Sequence, residues 1–149
     1  MFNPNVKASD EIVVVGVINP TSQGAGALST GWIDMQKYPQ LLAVLAVGVL
    51  GASATCDAKL EQANTSGGGG VKDITGKAIT QLTKAGSDDN KQVMINLQDQ
   101  ELDINAGFRW ARLTVTVAVA ASLTQAIVYA HGARFGPEAQ ATTVDEIKA

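Results

Sequence analysis

The sequence predicts an all-β, single-domain antiparallel β-sandwich of jelly-roll type, with a flexible arm at each end. Three observations predict it. Residues 41–50 form an unbroken apolar run, far shorter than the roughly 20 residues that span a bilayer, and so read as a strand buried on both faces. Residues 54–61 and 109–119 alternate apolar and polar side chains at period two, the mark of half-buried strands. About eight such short segments are parted by turn residues, and no long segment shows capped helical periodicity.

Taken in order, residues 1–10 are polar and read as an N-terminal arm, followed by a sandwich domain over 11–135. Residues 11–18 are β-branched and stop at Asn19-Pro20, a turn signal. Residues 21–31, rich in Gly, Ser and Ala, read as a loop. A short strand over 32–35 precedes the apolar strand at 41–50. In the next strand Ala54, Cys56, Ala58 and Leu60 face one way and Thr55, Asp57, Lys59 and Glu61 the other. Residues 64–70 form a glycine-rich loop tip. Residues 72–83 hold one strand, with a helical alternative over 78–82. Residues 85–90 are a turn, Val93, Ile95 and Leu97 mark a strand, and 98–107 form a polar connection. Leu113, Val115, Val117 and Val119 define one face of the 109–119 strand, and Arg112, Thr114, Thr116 and Ala118 the other. A last strand covers 123–130, and 136–149 form a polar C-terminal arm. The inward set expected from these patterns is Val44, Cys56, Leu60, Leu113, Val115 and Val117.

Composition narrows the function. The 149 residues suffice to bury a core of their own, about 68–70% of the unfolded surface at this size. Charged residues make up 17%, below the usual quarter or so, which suits a subunit covered by neighbours. The net charge of −3 comes without any basic block, so no nucleic-acid surface is expected. With one cysteine, Cys56, no intrachain disulfide can form. Residues 1–10 lack the basic and apolar regions of a signal peptide, which predicts folding in a cytoplasm and no membrane segment.

The chemical motifs fail on inspection. Residues 24–29 (GAGALS) lack the third glycine of a dinucleotide fingerprint, and no helix follows. Gly76-Lys77 lacks both the earlier glycine and the following Ser or Thr of a P-loop. Ser87-Asp88-Asp89-Asn90 lacks the alternating ligands of a calcium loop and reads as a turn. His131 is the single histidine and any Ser-His or Cys-His chemistry would need it; a structural role is favoured. Cys56 lies on an apolar face, as a small buried hydrophobe does. Asn64-Thr65-Ser66 fits a glycosylation acceptor without a secretion signal to give it meaning. No enzyme, cofactor or metal site is expected.

The aromatic residues carry more. Trp110 falls on the polar face of its strand, between Arg109 and Arg112. It reads either as a sugar-stacking platform or as an anchor in a protein interface. Several clustered exposed aromatics would favour sugar; one beside arginines favours an interface. The interface candidates are Trp110, Arg109, Arg112, Trp32 and Tyr38.

Residues 11–20 (EIVVVGVINP), 31–35 (GWIDM), 73–83 (DITGKAITQLT), 87–91 (SDDNK), 101–103 (ELD) and 107–109 (GFR) resemble small structural proteins encoded among the capsid genes of tailed bacteriophages and prophages. The resemblance covers about residues 11–137. It implies a virion protein of the head-decoration, or cement, type, and brings no catalytic residue with it. The expected role is to stabilise the capsid by bridging its subunits, with the major capsid protein as partner. The expected state is a homo-oligomer, made in the host bacterial cytoplasm and placed on the capsid exterior. A neck or tail component and a carbohydrate-binding module on the virion surface are the alternatives.

Overall fold

Two antiparallel sheets stack face to face in the computed structural model, which describes residues 5–136 and 138–148. The chain opens with one helical turn, α1 (Ala8–Glu11), and continues through β1 (Ile12–Gln23), β2 (Gly26–Ser29), β3 (Ile33–Asp34) and β4 (Gln40–Val47). It then forms β5 (Thr55–Ala63), β6 (Lys72–Ala78), β7 (Leu82–Thr83), β8 (Gln92–Gln98), β9 (Trp110–Ala118) and β10 (Ser122–His131). Sheet one has the order β1-β10-β4-β8. Sheet two has the order β2-β9-β5-β6, with β3 also pairing β9 and β7 also pairing β5.

The pairs β1·β10, β2·β9, β4·β8 and β5·β6 are nested. The chain behaves as one long hairpin wrapped around its own core. That is the jelly-roll arrangement of eight principal strands in two sheets.

Alternation builds the core. Leu41, Ala43, Leu45 and Val47 of β4 meet Cys56, Ala58 and Leu60 of β5 and Leu113, Val115 and Val117 of β9, all buried. Leu50, Met35, Tyr38 and Leu102 close the ends. Full burial removes a Leu or Val side chain from water, worth about 1.5–3 kcal/mol each.

Five expectations need correction. Val119 does not continue the inner face of β9: the strand ends at Ala118, and Val119 turns out at φ +72°, 70% exposed. β4 is buried on one face only: Leu42, Val44 and Ala46 are half-buried on the outer side. Val44 therefore points away from the core, because a two-layer sandwich gives each sheet a single inner face. Residues 21–31 are not a plain loop: Thr21, Ser22 and Gln23 extend β1, and Gly26–Ser29 pairs with Val117 to Thr114 of β9. Asn19-Pro20 sits in a register shift inside β1 rather than at its end, as proline in a strand requires a bulge or an edge. Residues 78–82 are not helical, and Gly76, at φ +75°, sits at a bulge in β6 opposite Leu60. The 85–90 turn is held by Asp88, whose Oδ2 accepts the Thr83 N–H at 2.8 Å, and by Asp89, whose Oδ1 accepts the Leu50 N–H at 2.9 Å.

Residues 1–4 of the N-terminal arm lie outside the described residues, as do Pro137 and Ala149 of the C-terminal arm. The rest of the C-terminal arm follows β1. The Gln140 amide accepts the Val14 N–H at 2.7 Å and donates to the Ile12 carbonyl at 2.9 Å and the Ser9 carbonyl at 3.2 Å. The Ala141 N–H donates to the Val14 carbonyl at 3.0 Å. This segment covers the free edge of sheet one, where unpaired backbone groups would otherwise recruit a foreign strand. Among the described residues no helix is long and apolar enough to cross a membrane.

Candidate interaction surfaces

Antiparallel pairing sets Trp110 of β9 between Asp34 of β3 and Ala63 of β5, and Arg112 opposite Glu61. The Arg109 guanidinium reaches back over this corner and grips Asp34 through two bonds. Its Nε lies 2.7 Å from Oδ1, and its second nitrogen meets Oδ2. That pairing, helped by the Gln36 N–H, holds the Asp34 carboxyl below its ordinary range. Glu61 is nearly buried, which opposes its charge. Hydrogen bonds from Thr114 and Arg112, both 2.8 Å, outweigh that and leave its pKa lowered.

Each arginine also backs an indole ring. The Arg112 guanidinium lies 4.5 Å from the Trp32 ring centre, and that of Arg109 lies 5.3 Å from Trp110. Both distances fall within cation–π range. Gly68 closes over Trp32: a Cβ at that glycine would stand 2.8 Å from the indole Nε1. Trp32, Trp110 and Tyr38 line one pocket of about 330 Å³, together with Asp34 and Lys37. Three of the five interface candidates are thus brought together as an aromatic cluster. Arg109 and Arg112 stand behind it with their charges answered inside the chain. Asp34 and Glu61 were missed in the sequence, since only strand register reveals that they face these arginines.

A second surface is the outer face of sheet one. Cross-strand register lays out the row Val17, Ile127, Val44 and Met94. Beside it runs Val14, Tyr129, Leu42 and Asn96, then Ile12, His131, Gln40 and Gln98. None of these twelve positions carries an Asp, Glu, Lys or Arg. Met94 is 65% exposed and Ile12 38%. Val144 and Ile147 of the C-terminal segment line a cavity of about 270 Å³ with Ile12, Val14 and Tyr129 at one end of this face. The outer face of sheet two is the opposite in character. There Lys59 bonds Asp73 at 2.7 Å and pairs with Glu61 at 3.3 Å, and Glu61 binds Arg112.

Cys56 is fully buried and its thiol is pushed up to about 11, first by burial and then by Asp57. His131 ends β10 on the outer face of sheet one, and no nucleophile is hydrogen-bonded to it among the described residues. The carboxylates of the Asp88-Asp89 turn are taken by backbone N–H groups and by Lys91 and Lys84. Among the described residues no group of three His, Cys, Asp or Glu side chains is placed to hold a metal ion. A comparison with protein-family models finds no match for this chain, and a comparison with curated proteins finds none.

Proposed function

We propose that this chain is a structural subunit of a tailed-phage virion that decorates the capsid exterior and stabilises the shell by bridging capsid subunits. The observation that carries the reading is the uncharged outer face of sheet one. Its Val17, Ile127, Val44 and Met94 row is apolar throughout and the rows beside it are uncharged, and an exposed apolar strip of this kind marks an interaction site. Sheet two carries on its outer face a run of ion pairs from Asp73 through Lys59 and Glu61 to Arg112. Sheet one lacks such a run and so fits a face covered in the assembled particle, by the major capsid protein and by other copies of this chain. The resemblance noted in the sequence and the low charged content support the same assignment.

The mechanism is mechanical. Packed DNA loads the shell from within. A protein seated across capsid subunits adds contacts that must break before the shell opens. Because its seat carries no Asp, Glu, Lys or Arg, attachment resists moderate salt, which screens exposed ion pairs but not hydrophobic burial.

The test uses particles. Val44→Glu changes a half-exposed outer position without disturbing the core, so the subunit should fold yet bind purified particles far more weakly than the natural chain. Particles lacking the protein should assemble but release DNA at lower temperature. Equal heat stability with and without it, or a copy number matching a single neck ring rather than the capsid lattice, would overturn the reading.

A further inference from the structure

The geometry points to a carbohydrate site in the pocket between β3, β9 and the C-terminal segment, taking one hexopyranose residue with its ring face on Trp110. The pocket holds about 330 Å³, at the small end of the roughly 300–1,000 Å³ typical of small-molecule sites. A pyranose has an apolar face of C–H groups and a rim of hydroxyls. The slightly positive C–H hydrogens match the negative face of an aromatic ring. Trp110 and Trp32 supply two such rings, and the largely buried Tyr38 also lines the pocket.

Three features separate this pocket from an ordinary cluster of core aromatics. Its rings are set in advance. The Arg109 guanidinium lies over Trp110 and is itself tied to Asp34; that of Arg112 lies over Trp32, which Gly68 approaches closely. A rigid platform loses little entropy when ligand arrives. Its rim is polar. Lys37 is half exposed, and its ion pair with Glu138 is long at 3.9 Å, so its ammonium has donors to offer a hydroxyl. The Asp34 carboxylate lines the same rim, its oxygens already accepting from Arg109 and the Gln36 N–H. Its net charge disfavours phosphorylated ligands. Arg109 and Arg112 are neutralised by Asp34 and Glu61, which leaves Lys37 as the one lining cation. The site shares only Val14 with the uncharged face of sheet one, and the groups proposed to hold the sugar, Trp110, Trp32 and Lys37, all lie off that face.

The experiment is a titration of the full chain, followed by tryptophan fluorescence. The probes are glucose, galactose, mannose and N-acetylglucosamine, each also as its methyl glycoside. At least one should give a saturable change with a Kd on the order of millimolar, as expected for a single weakly held residue. Binding of both forms assigns a residue within a glycan; binding of the free sugar alone assigns a free monosaccharide. Trp110→Ala should weaken binding at least tenfold, with Trp32 remaining as reporter, while Trp110→Phe keeps part of the affinity. Lys37→Ala, at an exposed position that the fold does not need, should weaken it several-fold. No saturable response to any of the eight probes would overturn the site. So would binding that survives Trp110→Ala in a variant whose circular dichroism remains that of a folded sheet.

Discussion

Replacing Val115 with aspartate tests the sandwich at its centre. Val115 is fully buried in β9, with Ala58 of β5 on one side and Leu28 of β2 on the other. Three costs follow. Losing the buried valine removes about 1.5–3 kcal/mol. A charged carboxylate has no partner there, so it takes a proton instead. At pH 7 that is about three pH units above its ordinary pKa, at 1.36 kcal/mol per unit, or about 4 kcal/mol. The neutral acid then lacks hydrogen-bond partners, for about 1–3 kcal/mol more. The total lies in the range of a whole domain's stability, about 5–15 kcal/mol. Val115→Asp should therefore be largely unfolded at neutral pH. The protonation cost also shrinks by about 1.4 kcal/mol for each pH unit lowered, so the variant should regain stability relative to the natural chain as pH falls toward 4. Val44→Asp, on the outer side of β4, should cost far less. Urea unfolding at several pH values separates the two. A Val115→Asp protein with the natural midpoint at pH 7 would refute this placement of the core.

Two further perturbations probe the edges of the fold. Asp34 and Glu61 both have lowered pKa values, so their contributions are present in full above the ordinary carboxyl range and are lost as pH falls through the lowered values. Glu61→Gln should cost about 1–2 kcal/mol at pH 7 in thermal unfolding, and the difference from the natural chain should close in acid. Gln140→Ala removes three hydrogen bonds to the edge of sheet one. Hydrogen exchange should accelerate at the Val14 and Ala141 amides, while the global midpoint moves by no more than about 1 kcal/mol.

Much of this fold was legible because burial imposes period two where one sheet face is dry. Cys56, Leu60, Leu113, Val115 and Val117 announce themselves in that way. β2 does not. All four of its residues are exposed, so no side-chain period marks it, and backbone pairing to β9 alone makes it a strand. Val44 misled for the reverse reason: both faces of β4 are apolar, so no alternation shows which one is inside. The aromatic pocket depends on register. Asp34 and Arg109 lie 75 residues apart, and nothing local links them. Trp32, Tyr38 and Trp110 converge only after β3 has paired with β9.

The nested hairpin has a consequence in time. Ile12 pairs with His131, so the first strand made waits for the last. At roughly 5–20 residues per second of synthesis, β1 stays without its neighbour for about 6–24 s after it emerges. The innermost pair, β5 with β6, has its partner almost at once. Closure should therefore run outward from that ribbon, and loops of such length close slowly. Through that interval the apolar residues of β1 and β4 lie open to other nascent chains. At high rates of synthesis the chain's yield should therefore depend on chaperone capacity more than its final stability suggests.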